Sequence, residues 1–102
     1  MRYKLDKHGL PRLKSGELSM SRNWVATIRA LALLPKGRAR TAKELADTAA
    51  TNGLANWWNL YQRWHRIPRN LVRVHSVGGR YEITLTEKGW EIVRSGNFGR
   101  IY

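Results

Sequence analysis

The chain has no cysteine among its 102 residues, which excludes a disulfide framework and any thiolate metal site. Acidic residues are scarce. Seven Asp and Glu stand against 19 Lys and Arg, leaving a formal net charge of +12. No acidic residue falls between Asp47 and Glu82, whereas Arg63, Arg66, Arg69, Arg73 and Arg80 all do. Long hydrophobic runs are missing too. The longest, residues 30–35, is far too short to span a bilayer, and the N-terminus lacks the apolar run of a signal peptide. A basic amphipathic chain can also rest on an anionic membrane, but the aromatic residues here fall at core spacing. A cytoplasmic, nucleoid-associated protein is the resulting expectation. Catalytic patterns are equally thin. His8, His65 and His75 are scattered, with no ligand-spaced Cys, Asp or Glu beside them. There is no phosphate-binding glycine loop, and Ser15, Ser19 and Ser21 lack the setting of a nucleophile. Neither an enzyme nor a bound metal or cofactor is expected, and no pocket for a small-molecule effector is evident.

What is present is positive charge, unevenly placed. Residues 1–23 carry +4, 24–47 carry +3, 48–81 carry +5 and 82–102 carry none. A merely solubilising surface is the bland alternative. Clustering of this kind argues instead for a polyanionic partner. The length suits one domain with a modest core, divided as a basic arm (1–20), a folded domain (21–95) and an aromatic tail (96–102).

The arm contains Gly9, Pro11 and Gly16 with Arg2, Lys4, Lys7, Arg12 and Lys14, and carries no sustained period. It either lies along DNA or docks on the fold, and Leu10, Leu13, Leu18 and Met20 favour docking for part of it. A first helix is expected from Ser21 or Asn23 to about Leu34, stopped by Pro35 and Gly37. It is apolar on nearly all sides, so it needs cover on two sides. The second cover is the arm or another protomer, which makes a homodimer through this helix or the terminal segments one of the readings. After a short strand near residues 38–40, Thr41-Ala42-Lys43-Glu44 forms a capping box, and Asn52-Gly53 closes the second helix.

The third helix is expected over residues 54–66. Helical spacing gathers Leu54, Trp57, Leu60, Tyr61 and Trp64 on an inward face, and Asn56, Asn59, Gln62, Arg63 and Arg66 opposite. Trp58 and His65 lie on the flank. The polar face lacks the Glu and Lys pairs of a generic exposed helix. It carries the side chains that pair with adenine and guanine edges. Pro68 ends the helix and a hairpin follows. If Gly78-Gly79 form its turn, Val77 faces Arg80, Ser76 faces Tyr81, Val74 faces Ile83 and Val72 faces Leu85. Arg73, His75, Arg80, Glu82 and Thr84 then share the other face. A last helix spans 87–94, with Trp90 and Ile92 or Val93 inward, and Phe98, Ile101 and Tyr102 imply a packed tail.

The run Tyr81-Glu82-Ile83-Thr84-Leu85-Thr86-Glu87-Lys88-Gly89, with the Thr41 cap and Leu45-Ala46, resembles the winged-helix variant of helix-turn-helix proteins, as in small MarR-like and PadR-like regulators. The likeness covers about residues 22–95. It implies an α+β, mostly helical fold: a three-helix core, a two-stranded wing and a short C-terminal helix. It also implies that the third helix enters the major groove of double-stranded DNA through Asn56, Asn59, Gln62, Arg63 and Arg66. Arg73, His75 and Arg80 would form the wing on the backbone, with Lys36, Arg38, Arg40 and Lys43 nearby. Here the wing tip is only Gly78-Gly79, and the long flanking helices of MarR-like regulators are absent. A small transcriptional regulator is the leading expectation. The alternatives are a sequence-tolerant chromatin or nucleoid protein, and a winged helix that binds protein or RNA within a larger assembly.

Overall fold

Ser21 caps the first helix by accepting a hydrogen bond from the Trp24 amide at 3.1 Å. From there α1 runs Arg22–Leu33. Pro35 cannot continue it, and a single 3-10 turn, Pro35–Gly37, leads into the two-residue strand β4, Arg38–Ala39. The structure, a computed structural model, describes residues 4–7 and 10–102. Arg2, His8 and Gly9 of the arm lie outside the described residues. Strands β1 (Lys4–Leu5), β2 (Pro11–Arg12) and β3 (Ser19–Met20) precede α1.

The Thr41 half of the capping box forms, and its reciprocal half is displaced by one residue. The Glu44 amide donates to Thr41 Oγ1 at 3.0 Å, and the Glu44 carboxylate accepts from the Arg40 amide, one residue before the cap. Helix α2 then spans Ala42–Thr51. Its end is a Schellman motif: Gly53 N–H donates to Ala50 and Leu54 N–H to Ala49.

That closure corrects the expected start of the third helix. Leu54 is committed to finishing α2, so α3 begins three residues later and spans Trp57–Arg63, capped by Asn56. The final turn, Trp64–Arg66, is 3-10 and leads to Pro68. Beyond it, β5 (Val72–Val77) and β6 (Arg80–Leu85) form the hairpin, and β4 pairs with the other edge of β6 to give an antiparallel sheet of order β4-β6-β5. The register is the expected one, from Val77 opposite Arg80 to Val72 opposite Leu85. Gly78 and Gly79 both have positive φ, at 55° and 77°. The two-residue hairpin turn that matches strand twist needs this conformation.

Helix α4, Glu87–Ser95, is capped by Thr86 Oγ1, which accepts from the Gly89 amide. Ile92 is buried, and Trp90 and Val93 pack partly against the core. The architecture is thus α+β, with four α-helices and small sheets among the described residues. Helix α1 lies at its centre, touching α2, α3, α4 and β6.

The arm departs from expectation by forming strands. β1 pairs antiparallel with β2, fastened by an Asp6–Arg12 ion pair at 2.9 Å. β3 pairs in parallel with β7 (Arg100–Ile101) near the other end of the chain. Two-residue strands are too short to show a period, and the partner of β3 is remote in sequence. Leu10 and Met20 enter the core cluster beside α1, with Leu18 and Phe98 packed against it. The chain's own arm and tail therefore supply cover for α1.

Candidate nucleic-acid interface

Helix α3 is held down by Leu60 and Trp64, one turn apart and both buried. Its start is fixed by Asn56, whose Oδ1 accepts from the amides of Trp58 at 3.0 Å and Asn59 at 3.2 Å. Asn56 therefore spends its carbonyl oxygen on the helix and cannot offer it to a base edge. Asn59, Gln62, Arg63 and Arg66 are exposed. Asn59, Gln62 and Arg63, at helical spacings of three and four, lie on one side of α3. Arg63 and Arg66 line a groove with Ser21, Asn23, Trp24 and Tyr102, on the flank beside the start of α1.

The aromatic stripe also divides. Leu60 and Trp64 face inward as expected, but Tyr61 is 41% exposed and Trp57 only partly buried. Leu60, Trp64, Ile67 and Leu71 belong to the core cluster, and neither Trp57 nor Tyr61 joins it. Trp57 is anchored at the edge: its Nε1 donates to Asp47 Oδ1 at 2.6 Å. The other carboxylate oxygen of Asp47 meets Lys43 Nζ at 3.3 Å. The indole hydrogen bond chiefly holds the Asp47 carboxyl below its ordinary pKa; desolvation opposes it, and Lys43 adds a lesser lowering.

Trp57, Trp58 and Tyr61 make a near-parallel aromatic group. Their ring centroids lie 4.8, 5.9 and 6.3 Å apart, and all three planes agree within 19°. Beside it, Tyr61, Trp64, His65 and Arg69 share a groove with Ala42, Val74 and Tyr81, between α3, the start of α2 and the hairpin. Sequence reasoning did not place Tyr61, Arg69 and Tyr81 together. The available signal was the hairpin register, which sets Tyr81 on the Ile83 face two residues nearer the tip, where its ring meets Trp64 at 6.2 Å.

The hairpin's opposite face carries Arg73, His75, Glu82 and Thr84, which line a third groove with Lys36 and Arg38. Arg38 is tied to Glu82 at 3.5 Å. Strand alternation puts Arg73 and His75 on the sheet face opposite Val72, Val74 and Ile83. They thus lie away from the α3–hairpin groove, while Arg80 stands at the exposed tip. Arg40 is exposed beside the α2 cap, and Lys43 one turn further on. Among the described residues no cluster of three His, Cys, Asp or Glu could hold a metal, and no helix is long and apolar enough to cross a membrane. No family model matches the chain, and neither does any curated protein or solved structure.

Proposed function

We propose that this chain is a double-stranded DNA-binding protein of the winged-helix kind, acting as a small transcriptional regulator. The observation that carries the reading is the continuous carboxylate-free stretch that builds α3 and most of the hairpin, with five arginines and no Asp or Glu between Asp47 and Glu82. The order of helix, short strand, two helices, hairpin and helix, with sheet order β4-β6-β5, supports the winged-helix assignment. In this reading Asn59 and Gln62 read base edges in the major groove. Arg63, Arg66, Arg80, Arg40 and Lys43 neutralise phosphates, and Arg73 and His75 act from the outer hairpin face.

A second reading is favoured by the commitment of Asn56 to capping. With one fewer base-reading side chain and a charge of +12, the chain would act as a sequence-tolerant nucleoid protein. Binding to random duplex across a salt series, with parallel selection of preferred sites, separates the two. A regulator should enrich a motif and prefer it by roughly 10³-fold or more, whereas a nucleoid protein should show a steep salt slope and no motif. Arg80→Ala should weaken every duplex alike and reduce the salt slope by about 1. Absence of duplex binding at low salt would refute both readings.

A further inference from the structure

A duplex presents base edges in its grooves and hides base faces inside the stack. Side chains that recognise edges are polar and forked, whereas flat exposed rings recognise faces. The α3 surface carries both kinds. Beside Asn59 and Gln62 stand Trp58, 58% exposed, and Tyr61, 41% exposed, with Tyr81 57% exposed across the groove.

This group is built to stay flat. A linear pile of three rings would separate its outer members by about twice the stacking distance, but Trp58 and Tyr61 are only 6.3 Å apart. The rings are therefore offset, near-parallel plates. Trp57 is pinned by Asp47, and the backbone beneath is fixed by the Asn56 cap. Two cations border it: Lys43 on the Asp47 side, and Arg69 in the groove that Tyr61 shares with Tyr81. The carboxylate at the site, Asp47, is engaged by Trp57 and Lys43. Exposed rings bordered by cations fit a ligand that carries aromatic faces and negative charge together.

We propose that Trp58, Tyr61 and Tyr81 bind unpaired nucleobases of a DNA strand, with Arg69 and Lys43 on its phosphates, so that the preferred ligand is a duplex bearing a single-stranded extension. The proposal rests on the nucleic-acid reading above and names its substrate class. A homodimer or an acidic protein seated on the same rings is the competing occupant.

The test compares four labelled DNAs by fluorescence anisotropy: a blunt duplex, the same duplex with an oligothymidine overhang, the same duplex with an abasic overhang of equal length, and the free oligothymidine strand. The abasic overhang keeps the phosphates and removes the bases. The base-bearing overhang should bind about 10-fold or more tighter than either the blunt or the abasic duplex. Trp58→Ala and Tyr61→Ala should abolish that gain while leaving blunt-duplex affinity within about threefold, whereas Tyr61→Phe should retain it. Unchanged thermal unfolding of these surface variants would show that the loss is not misfolding. Equal binding of blunt, abasic and base-bearing forms would overturn the inference and leave the duplex reading intact. Binding of the overhang and free strand without the blunt duplex would do the reverse. A wild-type dimer in sedimentation that Trp58→Ala dissociates, with no overhang preference, would assign the rings to self-association.

Discussion

Gly89 illustrates how closely the last helix sits against the hairpin. A Cβ at this position would lie 2.5 Å from the Leu71 carbonyl oxygen and 2.7 Å from Leu85 Cδ2. The same carbonyl accepts the Thr86 amide at 3.1 Å, and the Thr86 hydroxyl donates to the Asn70 carbonyl. Gly→Ala inside a helix ordinarily stabilises by up to about 1 kcal/mol. Here the clash with a backbone oxygen reverses the sign, and Gly89→Ala should destabilise the fold by about 1–3 kcal/mol in urea denaturation. Asp47 gives a second residue-level expectation. Its carboxyl is held below its ordinary 3.8 chiefly by the Trp57 indole N–H. The contact is therefore fully present above that value and is lost as pH falls through the lower folded one. The Trp57 indole resonance should move on acid titration with a midpoint below 3.8, and Asp47→Asn should remove that titration.

At the scale of elements, α3 shows what local pattern can and cannot fix. Its spacing marks Leu60 and Trp64 as inward, and they are buried. The same spacing places Trp57 and Tyr61 with them, yet Trp57 is only half-buried and Tyr61 is exposed. Asn56 is a related case. Read as one of a polar series, it looks like a base reader, and only the Schellman closure of α2 at Leu54 reveals it as the cap. Asn56→Ala should therefore cost about 0.5–2 kcal/mol of stability, and Asn56→Ser should recover most of it. If Asn56→Ser folds like the wild type but loses duplex affinity, the free amide also reads DNA. The hairpin was legible because two independent signals, the Gly78-Gly79 turn and the alternation of Val72, Val74, Ile83 and Leu85, agree on one register. Nothing in the arm offers a comparable second signal: β1 and β2 are only two residues long, and β3 depends on β7 near the other end of the chain.

Over the whole molecule, the basic surface is divided rather than continuous. Arg63 and Arg66 flank the start of α1, Arg69 faces the α3–hairpin groove, and Arg73 with His75 occupies the outer sheet face. Composition announced the charge, but its distribution over three surfaces needed the fold, because strand alternation and helix rotation send neighbouring arginines in different directions. A single duplex laid on one side should therefore engage only some of these cations, and the salt slope should fall well short of what all 19 Lys and Arg would give.

The pairing of β3 with β7 has a kinetic side. Ser19 meets Arg100, 81 positions away in sequence, and the Arg22 amide donates to the Tyr102 carbonyl at 2.7 Å. Contacts this remote carry the largest loop-closure entropy in the molecule and form after the helices and hairpin have drawn the ends together. The strand pair should then act as a late latch, absent from the folding transition state. Loosening it, as by removing residues 97–102, should leave the refolding rate nearly unchanged and quicken unfolding.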